Sequence, residues 1–455
     1  MVFSSVSFLF LFLPIFFLFY ILVPKIIRNI FILLSSLLFY YWGEGIYLSI
    51  LLIYIIFNYS LGILIEKNLK NFKLKNTKII VTIGILLNII ILIYYKYFIF
   101  IINIFNNNEI TGIHLPIGIS FYTFQSISYL IDVSRGDVNA EKNPINFGMY
   151  IALFPQLIAG PIVRYIDISR EIVKRNITIE LFKEGVERFI LGLAKKVLIA
   201  NPLGLYADEV FSRDPSSLQS LGAWMGIFAY TLQIYYDFSG YSDMAIGLGR
   251  MMGFHFLENF NYPYVSLSIK EFWRRWHISL SSWFRDYLYI PLGGNKKGNI
   301  RTYLNLLVVF ILCGFWHGAN YTFLFWGAWH GLFLVLERSG LDQFLEKRVY
   351  VVQWLYTILI VSIGWVFFRA LSIEYGMKYT IQMFSFQFEG DFIPMGKRTV
   401  LIFMMGIIFS YDWSSYFKTI KMRFTLKSIL LLILFILSIS NLAVSTYNPF
   451  IYFRF

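Results

Sequence analysis

Charge is what this chain most lacks. Only 14% of its 455 residues are Asp, Glu, Lys or Arg, against about 25% in soluble domains. A water-facing surface cannot be covered with so few ionic side chains. Cysteine is nearly missing too. Cys313 stands alone, which excludes an internal disulfide and any cysteine cluster for a metal, and leaves the redox compartment unread. No His-Glu-x-x-His occurs and no histidine pair stands at i+3 or i+4, so a metal site is not expected. The absence of Gly-x-Ser-x-Gly argues against a serine hydrolase. No polar stretch is long enough for a soluble domain, and no repeat recurs at a fixed period. The apolar segments are continuous and do not alternate, which argues against an outer-membrane barrel.

What the chain does have is hydrocarbon. Hydrophobic residues make up 58% of it, and mean hydropathy is +0.65. Runs such as 3–23, 79–104 and 424–446 reach the span of about 20 residues that a helix needs to cross a bilayer, and 303–313 is a shorter one. Counting them gives an all-α polytopic membrane protein with roughly ten to twelve transmembrane helices, some short or broken. The run 3–23 ends at Lys25 and Arg28 with no small-residue cleavage pattern, so a retained first helix is expected. The formal charge of +13 lies in short loops between apolar runs, as in cytoplasmic loops, and does not point to nucleic acid. The cluster "EKNLKNFKLKNTK" (66–78) is expected in the cytoplasm, with basic segments at 164–175, 296–301 and 418–427 as further candidates. That arrangement puts the N-terminus and residues 105–113 outside.

One membrane domain over 1–455 is expected: wall helices over 1–109, a core over 110–335 and closing helices over 336–455. Between 110 and 335 the apolar runs are broken by Gly, Pro, His, Asp and Arg, as in "FPQLIAGPIVRY" and "YYDFSGYSDMAIGLG". Irregular backbone at membrane depth survives only where protein buries it or water reaches it. The core is therefore expected to form a cavity or funnel with re-entrant and interfacial helices, and function belongs there.

Two histidines stand out. In "FWHGAN", His317 follows Trp316 at the end of an apolar run, and ionisable groups within membrane segments mark functional sites by default. The plainer alternative is a neutral ring donating to a backbone carbonyl. Gly314, Gly318 and Ala319 let a ligand or another helix come close. His277 lies in "EFWRRWHISLSSWFRDYLYIPLGGN". Placed on one helix over 273–287, Trp273, Trp276, Leu280, Trp283 and Tyr287 form a single apolar stripe opposite Arg274, Arg275 and Arg285. That reads as an interfacial helix with aromatic anchors. Its cationic face suits anionic lipid or the phosphates of a nucleotide-bearing donor, and the sequence does not separate the two. His330 in "FWGAWHG" is thirteen residues past His317, about 220° around a continuous helix, so the two rings are expected to face apart. His114 and His255 default to structural roles. In 236–250, Asp243 and Arg250 share a helix face, and with Asp237, Ser239 and Tyr241 they read first as packing glue. The sharper alternative is that they orient a histidine or line an acceptor path.

Taken together, "FPQLIAGPIVRY", "QIYYDFSGYSDMAIGLGRMMGF", "EFWRRWHISLSSWFRDYLYIPLGGN", "GFWHGANYTFLFWGAWHG" and the terminal "NPFIYFRF" closely resemble the membrane-bound O-acyltransferase family, in particular its bacterial branch acting on alginate and peptidoglycan. The resemblance runs over about 110–335 plus the C-terminal tail. It implies a helical membrane fold around a funnel, and a multi-pass location in the bacterial inner membrane. It implies a catalytic histidine at His317 and a second conserved site position at His277. It also implies acyl transfer from a cytoplasmic thioester, acetyl-CoA, toward hydroxyls of an extracytoplasmic polysaccharide, with no bound cofactor. A separate periplasmic esterase-like partner of the SGNH type is part of that scheme.

The chemistry expected is general-base catalysis by a buried, neutral His317 on the acceptor hydroxyl. His277 would position donor or acceptor, or stabilise the oxyanion. Arg274, Arg275, Arg285, Asp237, Asp243, Trp316 and Asn320 are candidate donor- or substrate-binding residues. A transporter or channel for an acyl group or lipid-linked sugar, and a lipid O-acyltransferase, are the alternative readings.

Overall fold

The computed structural model describes residues 2–105, 112–158, 160–413, 424–445 and 447–449. Every regular element among them is a helix, and the single β-type contact is an isolated bridge between Leu218 and Asp391. Helices satisfy their own backbone, which is what a hydrocarbon solvent demands. Six stretches among the described residues are long and apolar enough to cross a membrane: Lys25–Lys70, Leu74–Phe105, Ile179–Phe211, Asn299–His317, Tyr350–Arg369 and Thr425–Val444. The first is two helices, Arg28–Glu44 and Leu48–Lys70, broken at Gly45, whose φ of +55° suits glycine. The chain is an all-α polytopic membrane protein. The estimate of ten to twelve also counted shorter or more polar helices. The run 3–23, expected to span, is helical only over Phe8–Leu22. The 33-residue helix Ser220–Met252 is long enough, but it carries Asp237, Asp243 and Arg250 and so drops out of an apolarity count.

The chain sorts into two compact units, residues 1–189 with 241–257, and residues 190–240 with 258–455. The helix Ser220–Met252 contributes its first part to the second unit and its last part to the first.

In the first unit the short N-terminal helix is clamped by rings. Phe8, Phe12 and Phe16 pack against Phe154, with Phe39 beside Phe8 and Phe12. Tyr20 donates to the Met252 carbonyl at 2.8 Å, and the Phe3 amide donates to the Tyr241 hydroxyl at 2.9 Å. Asn58 and Asn88 exchange side-chain amide bonds of 3.1 and 2.8 Å between two apolar helices. His114 pairs with Glu44 and His255 with Glu171, at 2.9 and 2.6 Å.

The second unit holds both histidines of interest. Its central pair is Asn299–His317 and Tyr321–Leu336, reversed through the three residues 318–320. A Cβ on Gly314 would land on the Phe323 carbonyl, and one on Gly327 on the Phe310 carbonyl. The small residues beside His317 thus admit a neighbouring helix backbone.

Candidate active site

The single helix expected over 273–287 does not exist. The chain forms Ile269–Arg275, breaks, and resumes as Ile278–Phe284. The first piece is capped at its start: Ser268 Oγ accepts from the Glu271 amide at 3.0 Å, and Glu271 accepts from the amide of Leu267, the residue before the cap, at 2.9 Å. Glu337, from another segment, accepts from the Ile269 and Lys270 amides at 2.6 and 2.9 Å and from the Tyr356 hydroxyl at 3.2 Å. A carboxylate at a helix N-terminus meets the positive end of its dipole. Burial nonetheless pushes the Glu337 carboxyl above its ordinary range, with those hydrogen bonds opposing the shift.

The break falls at His277, whose φ is +44°. Histidine is among the few non-glycine residues that visit this region with any frequency. The turn is held by residues 259–261, since the Ile278 amide donates to the Asn259 carbonyl at 2.9 Å and the Asn261 amide to the Arg275 carbonyl at 2.9 Å. Trp273, Trp276, Leu280, Trp283 and Tyr287 are all buried in protein. The stripe is a core seam, and not the set of lipid anchors the periodicity implied.

His277 is fully buried, with Phe238 edge-on at 4.6 Å. Its Nδ1 lies 3.1 Å from Asn259 Oδ1, which also accepts from the Ser279 amide at 3.2 Å and the Ser279 hydroxyl at 2.9 Å. The Ser279 amide can only donate, so this atom of Asn259 is the oxygen, and the bond from His277 is Nδ1–H donating. Nε2 therefore carries the lone pair. Burial pushes the imidazole down, to about 3, so it is neutral at working pH. Asn259 was not read from the sequence, because an asparagine in "LENFNYPY" gives no periodic or motif signal.

His317 ends its helix within a cage of rings: Trp316 at 4.9 Å, Phe368 at 5.1 Å and Trp326 at 5.2 Å. Trp316 also reaches His277, at 6.3 Å between centroids. His330 sits on the same indole of Trp326, at 5.2 Å, and on Trp273 at 5.1 Å. The expectation that His317 and His330 face apart fails because the helix reverses between them. Two antiparallel helices bring both rings onto one tryptophan. Neither His330 nitrogen has a hydrogen-bond partner among the described residues.

The other candidates separate. Asn320 caps the following helix, accepting from the Thr322 amide at 3.1 Å and donating to the Leu371 carbonyl at 3.3 Å. Asp237 is paired with Lys196 at 2.5 Å, both buried. Asp243 pairs with Arg188 at 2.6 Å and Arg250 with Glu184 at 3.6 Å, so the two residues that share a face bind a neighbouring helix and not each other. Packing glue is the reading this geometry favours for all three. Arg275 is held by Glu271 at 2.9 Å and Arg285 by Asp286 at 2.7 Å, while Arg274 is exposed. Among the described residues no group of three His, Cys, Asp or Glu side chains gathers to hold a metal.

Residues 140–368, which hold every residue of this cage, match the model of the membrane-bound O-acyltransferase family. The chain belongs to that family. A Pseudomonas putida protein named "Probable alginate O-acetylase AlgI" is 42% identical over the full length of both chains. A peptidoglycan O-acetyltransferase of Helicobacter pylori is 35% identical over 83% of this chain and 79% of its own. A teichoic acid D-alanyltransferase of Bacillus subtilis is 29% identical over 52% of this chain and 62% of its own. This membrane-bound O-acyltransferase is thus an enzyme of multi-pass membrane character. The terminal "FIYFRF" that helped the resemblance lies outside the described residues.

Proposed function

We propose that this enzyme moves an acetyl group from acetyl-CoA toward hydroxyls of an extracytoplasmic polysaccharide, of the alginate or peptidoglycan kind, from the bacterial inner membrane. The full-length similarity to an alginate O-acetylase is the observation that carries the acceptor class. A donor made in the cytoplasm and a polymer outside it call for a protein that opens to both sides, and for a periplasmic esterase-like partner of the SGNH type to complete delivery.

His317 is the general base in this reading. Its imidazole takes the proton of the acceptor hydroxyl as the oxygen adds to the thioester carbon. The imidazolium then returns that proton to the departing thiolate as the tetrahedral intermediate collapses, so atoms and charge balance. Such proton transfer contributes about 10²–10⁴ in rate. His277, neutral with its proton on Nδ1, offers an acceptor at Nε2. It orients a donating hydroxyl or amide of substrate, and oxyanion stabilisation falls to another group. The Trp326 indole N–H, which has no acceptor among the described residues and whose ring sits against His317, is a polar donor with that capacity.

His317→Ala should abolish polymer acetylation and acetyl-CoA turnover by purified protein in detergent, while expression and detergent stability hold. Normal acetylation by that variant would make His317 structural. Turnover only across sealed vesicles would make the protein a transporter.

A further inference from the structure

A cavity of about 260 Å³ lies in the second unit beside the His317 helix. Lys270, Arg274 and Arg285 stand at its lining, all three exposed. Arg285 is paired with Asp286, but neither Lys270 nor Arg274 has a carboxylate partner among the described residues. Beneath these cations the wall is apolar, with Leu280, Phe284, Val309 and Phe310, and Cys313 beside them. On the same helix as Val309 and Phe310, Leu304, Val308, Ile311 and Leu312 are exposed, as lipid-facing side chains are in a spanning helix. The cavity therefore lies beside a helix that exposes apolar side chains, with three long basic side chains at its lining of the kind that can extend toward headgroups.

We propose that this cavity is a binding site for an anionic phospholipid. The headgroup phosphate is held by Lys270 and Arg274 with Arg285 beside them, and part of one acyl chain fills the apolar space. The cations alone would equally suit the phosphates of the thioester donor. The wall decides. The donor's arm carries several amide groups, each with an N–H and a C=O to satisfy when buried, and in an otherwise apolar wall the lining offers few polar groups for them: the Ser281 hydroxyl, already directed at the Trp276 carbonyl, the Trp273 indole N–H, the Tyr289 hydroxyl and the Cys313 thiol. A hydrocarbon chain needs none. A lipid seated there packs on the turn that precedes His317.

The chain's single cysteine lines the cavity, which makes occupancy readable. The full-length protein is reconstituted in phosphatidylcholine vesicles with or without phosphatidylglycerol, and Cys313 is labelled with N-ethylmaleimide. Phosphatidylglycerol should slow labelling at least about fivefold, and the Lys270→Gln/Arg274→Gln double variant should remove that protection while labelling as wild type in phosphatidylcholine alone. Equal labelling in both lipids overturns the proposal, as does equal protection by free coenzyme A in phosphatidylcholine. If Cys313 reacts in neither lipid, native mass spectrometry of the same samples decides: phosphatidylglycerol retained by wild type and lost from the double variant upholds the site, and retention by both or neither rejects it. Binding is read without turnover, so its failure leaves the acyltransfer reading intact.

Discussion

Asn259 decides which nitrogen of His277 carries the proton, and so what that ring can do for a substrate. Its oxygen accepts from both the Ser279 amide and His277 Nδ1. Asn259→Ala removes the acceptor from three buried donors, the Ser279 amide, the Ser279 hydroxyl and His277 Nδ1–H, a loss of roughly 1–3 kcal/mol. The ring is then free to change tautomer, and kcat/KM for polymer acetylation should fall about tenfold or more. An unchanged kcat/KM would separate His277 from the reaction. The same burial has a pH consequence with a definite sign. The folded imidazole, held to about 3, stays neutral where an unfolded one of ordinary value 6.5 takes up a proton. The stability this group contributes is therefore complete above 6.5 and lost as the pH falls from there toward 3, by up to about 1.4 kcal/mol per unit. Melting in detergent between pH 7 and pH 5 should show that decline, and His277→Asn should flatten it.

Helices and their breaks were legible to different degrees. The capped start at Ser268 was not read, because the tryptophan spacing begins only at Trp273. The break two turns later was not legible. The tryptophan stripe keeps helical spacing straight through His277, while the irregular segment 259–261, outside that spacing, bonds the backbone on both sides of the positive-φ break. The cage around His317 was hidden for the same reason. Trp326 and Phe368 reach it by helix packing, which no local pattern encodes. Glycines, by contrast, were readable as close-approach sites without a partner being named. Gly327 is where this can be tested, because its missing side chain makes room for the Phe310 carbonyl. Gly327→Ala forces the 299–317 and 321–336 helices apart, at a typical overpacking penalty of about 1–3 kcal/mol. The variant should melt lower in detergent and lose more activity than stability, because His317 ends the displaced helix. Wild-type kcat in a folded Gly327→Ala protein would mean the helix spacing does not set the position of that ring.

Part of the chain's scarce charge is used inside it. The buried Lys196–Asp237 pair sits deep in the second unit, and the Lys196 ammonium also donates to the Pro449 carbonyl. Nearby, Asn201 reaches the Tyr447 carbonyl at 3.4 Å and the Asn448 side chain at 3.3 Å, and Tyr447 donates to Asp208 at 2.6 Å. Asp208 in turn holds Arg369 at 2.5 Å. Residues some 240 positions apart in sequence are thus joined by one polar network, a feature that composition alone can only describe as few charges. Removing one member of a buried pair strands the other, typically at 3–5 kcal/mol. Replacing both with apolar groups of similar size is often neutral. Lys196→Met should therefore lower the melting temperature in detergent sharply, and Lys196→Met/Asp237→Leu should recover most of the loss. Because both groups are shielded from solvent, raising the salt should change neither result much. The double variant also cuts the tie to Pro449, so a protease that attacks the C-terminal residues should cut it faster than wild type even with the melting temperature restored. If restoring stability also restores protease resistance, the lysine serves only to neutralise its aspartate, and residues 447–449 are held without it, through contacts such as those to Asn201 and Asp208.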